Sequence, residues 1–182
     1  MTTTIGIIVG SLRRDSYTRK VATAFSQLAP ADITLRMIDI ADLPLYNEDL
    51  ETTPPPAAWT ALREAVAPCD GVMFFTPEYN RSVPGALKNA LDVGSRPYGQ
   101  NVWAHKPALV VSVSPGAISG FGANHHLRQS LTFLDMPTLQ QPEAYIGNVT
   151  NLMTGPDQFV PATTDYFKLI LTQYLAFVAK LA

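Results

Sequence analysis

Residues 5–9 read Ile5-Gly6-Ile7-Ile8-Val9, and the chain continues Gly10-Ser11-Leu12-Arg13-Arg14-Asp15-Ser16-Tyr17-Thr18. A short apolar run of this kind predicts a strand covered on both faces, and such strands sit in the middle of a parallel sheet. Ser16 then reads as the cap of a first helix, with Val21, Ala24, Phe25 and Leu28 at helical spacing behind it. Gly71 to Phe75 and Ala108 to Val113 repeat the pattern of a buried strand. Ile33-Thr34-Leu35-Arg36-Met37-Ile38 mostly alternates, as a half-exposed edge strand does. A fifth run, Met136 to Gln140, carries Pro137, which a sheet tolerates at its edge.

Amphipathic helices are expected between these runs. Trp59, Leu62 and Val66 mark one; Leu87, Ala90 and Leu91 another; Leu127, Leu131 and Leu134 a third. The last is predicted from about Asp165, with Phe167, Ile170, Leu171, Tyr174, Val178 and Leu181 inward. Strands alternating with helices give an α/β fold, a doubly wound five-stranded parallel sheet. Three buried and two edge strands fit the order 2-1-3-4-5. Gln141 to Thr164 is longer than an ordinary loop, and its Tyr145, Ile146, Phe159 and Val160 suggest local packing or a subunit contact.

The chain has 182 residues, 47% of them hydrophobic, which suits one domain over 1–182. Its single cysteine, Cys69, excludes a disulfide framework and a cysteine-based metal cluster. A formal charge of −2 argues against nucleic acid as a partner, which calls for a net basic face. No apolar run nears the about 18 residues of a membrane span. Met1-Thr2-Thr3-Thr4 has no charged, apolar leader, so a cytoplasmic location is expected. Charged residues make up only 15%, against roughly 25% in an average soluble domain. A surface short of charge is often covered by a second copy, so a homo-oligomer is expected.

Ligands of open parallel sheets bind beyond the carboxyl ends of the strands. At the first such end, the hydroxyls of Ser11, Ser16 and Thr18 and the backbone N–H groups of a helix start form an anion site. Arg13, Arg14, Arg19 and Lys20 crowd the same turn, with Asp15 alone to offset them. Exposed cations there oppose the helix dipole by ~0.3–1 kcal/mol each, which makes sense where a phosphate arrives to neutralise them. The plainer reading is an ordinary Ser16 cap with solvated arginines. The stretch is neither G-x-x-x-x-G-K-[ST] nor G-x-G-x-x-G, so a mononucleotide phosphate is favoured over a triphosphate or dinucleotide.

At the second end, Thr76-Pro77-Glu78-Tyr79-Asn80-Arg81-Ser82-Val83-Pro84-Gly85 is a shaped loop. Tyr79 could cover a flat ring while backbone amides and Asn80 bond its polar edge. Ser82 is expected to cap the next helix, with Pro84 in its first turn. Glu78 has no carboxylate or histidine partner in view, so a general-base role is the minor reading. At the third end, small residues in Ser112-Val113-Ser114-Pro115-Gly116 and Gly120-Phe121-Gly122 let backbone approach a ligand closely; the plainer reading is a flexible loop. His105, His125 and His126 lack metal-ligand spacing, and no G-x-S-x-G elbow is present. A ligand cradle without nucleophile, acid–base pair or metal points to a cofactor that carries the reaction itself.

Two blocks of this chain, Gly10-Ser11-Leu12-Arg13 with Ser16, and Pro77-Glu78-Tyr79-Asn80 running to Lys88-Asn89-Ala90-Leu91-Asp92, resemble the NAD(P)H-dependent FMN reductases. That family, flavodoxin-like in fold, includes quinone and chromate reductases. Gly116 to Gln129 resembles its third loop and following helix. The resemblance implies bound FMN, with Ser11, Arg13, Ser16, Tyr17 and Thr18 at its phosphate. Pro77, Glu78, Tyr79 and Asn80 would line ribityl and ring, and Ser114 and Gly116 would close the other side. It also implies NADPH or NADH as co-substrate, a small-molecule acceptor with quinones first, ping-pong order, and a homodimer or homotetramer with the flavin near a subunit interface. Thr18 stands where many members carry Asn, and Asn124-His125 departs from their aromatic pattern. Two other classes remain at this stage: an FMN-binding electron carrier or regulatory module without nicotinamide turnover, and a nucleotide-binding enzyme that uses no flavin.

Overall fold

The computed structural model describes residues 2–181. Its main sheet is five-stranded and parallel, with the strands Ile33–Ile38, Thr3–Val9, Gly71–Thr76, Ala108–Val113 and Ala144–Ile146 side by side in that order, the 2-1-3-4-5 arrangement expected from the sequence. In chain order the elements are β1 (Thr3–Val9), α1 (Tyr17–Gln27), β2 (Ile33–Ile38), α2 (Ala57–Val66), β3 (Gly71–Thr76) and α3 (Gly85–Gly94). They continue with β4 (Ala108–Val113), α4 (Phe121–Phe133), β5 (Ala144–Ile146), β6 (Met153–Gly155), β7 (Gln158–Phe159) and α5 (Pro161–Leu181).

The period-2 alternation of strand side chains explains why the central runs are apolar throughout. Ile5, Ile7 and Val9, with Met73, Phe75, Leu109 and Val111, face a layer built from α1 and α5. Ile8, Val72, Phe74 and Val110 face the opposite way, onto α2, α3 and α4. Both layers are dry: Phe25, Phe167 and Tyr174 on one side and Trp103, Leu87 and Leu127 on the other are fully buried. Gly6 belongs to the second layer, where an added Cβ would come within 2.9 Å of Ile38 and 3.2 Å of the Cys69 sulfur.

The fifth strand lies further along the chain than Met136 to Gln140, the run expected to form it. That run meets β4 only at its start: Pro137 O accepts from Ala108 N at 2.7 Å and Leu139 N donates back at 2.9 Å. Pro142 has no N–H to extend such a ladder. Pairing resumes beyond it, Ala144 to Ile146 against Val111 to Val113, with Ala144 and Ile146 buried. The rest of the long segment packs locally. Val149 enters the core, the β6–β7 hairpin forms, and Phe159 meets Phe167 edge-on at 5.2 Å. α5 starts at Pro161, earlier than Asp165, because proline's fixed φ and missing N–H suit the first helical position; Leu181, expected inward, is instead exposed at the helix end, past Val178, the last residue packed on the sheet.

Candidate functional site

Three loops leave the carboxyl ends of β1, β3 and β4 and meet around a cleft of about 130 Å³. Ser11, Arg13, Ser16, Tyr17 and Thr18 supply one wall, Pro77, Glu78 and Tyr79 a second, and Val113, Ser114 and Pro115 the third. The adjacency follows from sheet order, since β1 pairs with β3 and β3 with β4. Gly10 N donates to Phe75 O at 2.8 Å and ties the first wall to the second. Of the residues expected at the site, Asn80 and Gly116 stand outside the lining. Asn80 occupies an exposed turn, while Gly116 N donates to the Ser114 hydroxyl at 3.0 Å and shapes the loop from behind. Val113 and Pro115, part of the strand end expected to approach a ligand, line the cleft on either side of Ser114.

The first wall is a helix N-terminus open to a ligand. Ser16 has extended backbone (φ −89°, ψ 121°), and its hydroxyl accepts the Arg19 N–H at 3.2 Å. The Tyr17 and Thr18 N–H groups precede the first intrahelical donor and have no partner in the chain among the described residues. Ser11 and Thr18 are buried except toward the cleft. Asp15 is taken by Lys20, a surface ion pair that holds the Asp15 carboxyl below the usual range. Arg13, Arg14 and Arg19 have no carboxylate partner among the described residues, and α1 has no acidic residue in its first turn. Free amides, two hydroxyls and unpaired guanidinium groups fit a phosphate.

The second wall holds Tyr79 half-exposed at the cleft's mouth, as a residue covering a flat ring would be. Glu78 turns its carboxylate away from any acid–base partner. Its Oε2 accepts the Ala123 N–H at 3.0 Å, and Oε1 meets Arg81 at 3.2 Å. Ser82 does not cap α3: Pro84 holds the cap position, no side chain caps the helix, and the Ser82 hydroxyl lies 3.0 Å from His126 Nδ1. The histidines go to separate places, His126 to Ser82, His125 to Tyr145 and His105 to Asp135. Behind the third wall lies Asn124, fully buried, with Nδ2 3.3 Å from the Ser112 hydroxyl and Oδ1 accepting from Arg128. A polar residue on the buried stripe of a helix carries no periodicity signal, so the spacing alone does not mark Asn124 for this place. Larger hollows of about 490 and 520 Å³ lie beside α2 and between α3 and α4, away from these strand ends.

The model of the NADPH-dependent FMN reductase family matches residues 3–151. A quinone reductase of Pseudomonas putida is 55% identical over 174 residues, covering 96% of this chain and 94% of the relative. A 2-hydroxy-1,4-benzoquinone reductase of a Burkholderia species is 42% identical over 96% of this chain and 95% of its own. Among solved structures, FerB of Paracoccus denitrificans, a flavoenzyme NAD(P)H:(acceptor) oxidoreductase, superimposes with a TM-score of 0.92. It is 34% identical, with 98% of each chain covered. With this match running through all three walls of the cleft, the chain belongs to the NADPH-dependent FMN reductase family.

Proposed function

We propose that this chain, acting as one domain over 1–182, holds FMN in the cleft described above and passes reducing equivalents from NADPH or NADH to a quinone. The observation that carries the reading is the convergence of an open helix N-terminus, Arg13 with no carboxylate partner among the described residues, and a half-exposed tyrosine at the carboxyl ends of three adjacent strands. The phosphate is assigned to the Ser11 and Thr18 hydroxyls, the Tyr17 and Thr18 amides and the Arg13 guanidinium, with Ser16 holding the helix start in shape. Pro77, Glu78 and Tyr79, with Asn80 at the turn, form the wall beside ribityl and ring. Ser114 and Gly116 shape the opposite wall.

Bound FMN supplies the electron-transfer chemistry itself. The chain's part is positioning and exclusion of water. Glu78 already bonds α4 and Arg81, so its carboxylate is committed within the protein rather than held free as a base. The quinone assignment is supported by the names of the two relatives. Self-association belongs to the same reading, as a homodimer or homotetramer. The charged fraction of 15% supports it, as do Tyr98 and Phe133, 91% and 90% exposed. The reading places the protein in the cytoplasm, where a free buried thiol such as Cys69 persists.

Steady-state rates with 1,4-benzoquinone, free FMN and an azo dye as acceptors test this. Parallel double-reciprocal lines and the highest kcat/KM for the quinone are expected. Intersecting lines, or a clear preference for another acceptor, would contradict it.

A further inference from the structure

The loop that carries Tyr79 is a tight hairpin. Tyr79 and Ser82 pair across it, with N–H···O bonds of 3.1 and 3.0 Å, and Asn80 and Arg81 turn the chain at φ 51° and 65°. Positive φ at both central residues is the type I′ pattern, which prefers glycine in the second place. Arg81 holds its Cβ in a backbone region that L side chains disfavour and that persists only where the surroundings over-determine it.

The first two turns of α4 supply those surroundings at three points. Glu78 Oε2 accepts the Ala123 N–H at 3.0 Å, and Ser82 Oγ lies 3.0 Å from His126 Nδ1. Gly122 sits against the turn so closely that a Cβ there would stand 2.6 Å from the Arg81 carbonyl oxygen and 3.0 Å from Glu78 Oε2. α4 has no cap of its own: Gly120 makes no side-chain bond and the first turn contains no acidic residue. The carboxylate that a helix N-terminus favours reaches it from Glu78 instead. Because α4 follows the Ser114 loop directly, this contact joins the two loops on either side of the cleft.

We propose that Glu78 is a positioning residue. Its carboxylate caps α4 and thereby fixes the Tyr79 hairpin against the cleft, acting neither as a base nor as a cofactor ligand. The inference rests on the FMN reading above. Both carboxylate oxygens are engaged within the protein and the side chain is only 12% exposed, so a charged cap is what the arrangement provides.

The test compares FMN dissociation constants, read by flavin fluorescence, and melting temperatures for the full chain and for Glu78→Gln, Glu78→Ala and Gly122→Ala. Glu78→Gln keeps an oxygen acceptor for the Ala123 N–H and is expected to restore affinity to within about threefold of the parent. Glu78→Ala loses a charge-assisted bond and should weaken FMN about tenfold or more. Gly122→Ala discriminates most sharply. Alanine favours a helix over glycine, so a role confined to α4 stability predicts an unchanged or higher Tm and unchanged FMN affinity. The clamp predicts a lower Tm together with affinity down about tenfold, because the new Cβ forces the hairpin backbone and the Glu78 cap off α4. Parent-like affinity in Gly122→Ala or Glu78→Ala would overturn the proposal. So would Glu78→Gln as damaging as Glu78→Ala, since the charge would then act directly. Failure of the unsubstituted chain to take up FMN would instead overturn the parent reading.

Discussion

The Asn89 side chain binds three backbone groups of the loop that follows β2: Oδ1 accepts from Tyr46 N at 2.7 Å, and Nδ2 lies 3.0 Å from Pro44 O and 3.3 Å from Leu43 O. Asn89 is buried on α3, the helix that begins just after the Tyr79 hairpin, so one helix links the ends of β2 and β3. Replacing it with alanine leaves buried backbone groups unpaired and is expected to cost about 3 kcal/mol. Denaturant unfolding checks this; a loss under about 1 kcal/mol would mean that water takes over the bonds.

Arg13 has no carboxylate partner among the described residues and lines the cleft. Arg13→Ala is expected to weaken FMN by ~1.5–3 kcal/mol through one lost charge-assisted contact, with little change in the melting temperature. Titration of flavin-free protein at fixed ionic strength reads the difference, and an unchanged affinity would remove Arg13 from the phosphate site.

Glu51 accepts from Arg96 Nε at 2.6 Å and from the Tyr46 hydroxyl at 2.9 Å. The Arg96 hydrogen bond holds the Glu51 carboxyl below the usual glutamate range, against an opposing push from burial. A folded-state pKa below the unfolded one gives stability that is present above the unfolded value and lost as pH falls through the folded value. The gap in melting temperature between the parent and Glu51→Gln should therefore be full at pH 7 and shrink below about pH 4. A gap that stays constant down to pH 2 would show that the pair contributes nothing through its charge.

Cys69 is 3% exposed, and burial pushes its thiol pKa up. Both effects oppose thiolate chemistry. An aromatic disulfide reagent should label the folded protein far more slowly than the denatured one; equal rates would show that the sulfur is accessible.

The parallel sheet and its order were legible because three strands are buried on both faces, and Ile5 to Val9, Gly71 to Phe75 and Ala108 to Val113 therefore lack the alternation of surface strands. The first wall of the cleft was legible for a similar reason. Ser11, Ser16 and Thr18 beside a run of arginines make an unusual local composition. What stayed hidden depends on residues far apart in the chain. Pro142 decides where β5 begins, yet nothing near Met136 signals it. Ser82 has the chemistry of a cap, but His126, 44 residues on, takes its hydroxyl. Glu78 lacked a partner in the sequence because its partner is a backbone N–H of α4. Asn89 looks like one more polar residue on an amphipathic helix until the loop of Tyr46 folds over it.

The central claim is that this cleft holds FMN and that NADH or NADPH reduces it. The most direct test is the visible spectrum of the purified protein, taken anaerobically before and after each nicotinamide. Flavin bands that bleach with one or both, and return on adding 1,4-benzoquinone, are the result expected. Bands that persist with both nicotinamides would contradict the reductase reading and favour an electron carrier. A protein that stays colourless after FMN is supplied would contradict the cofactor itself.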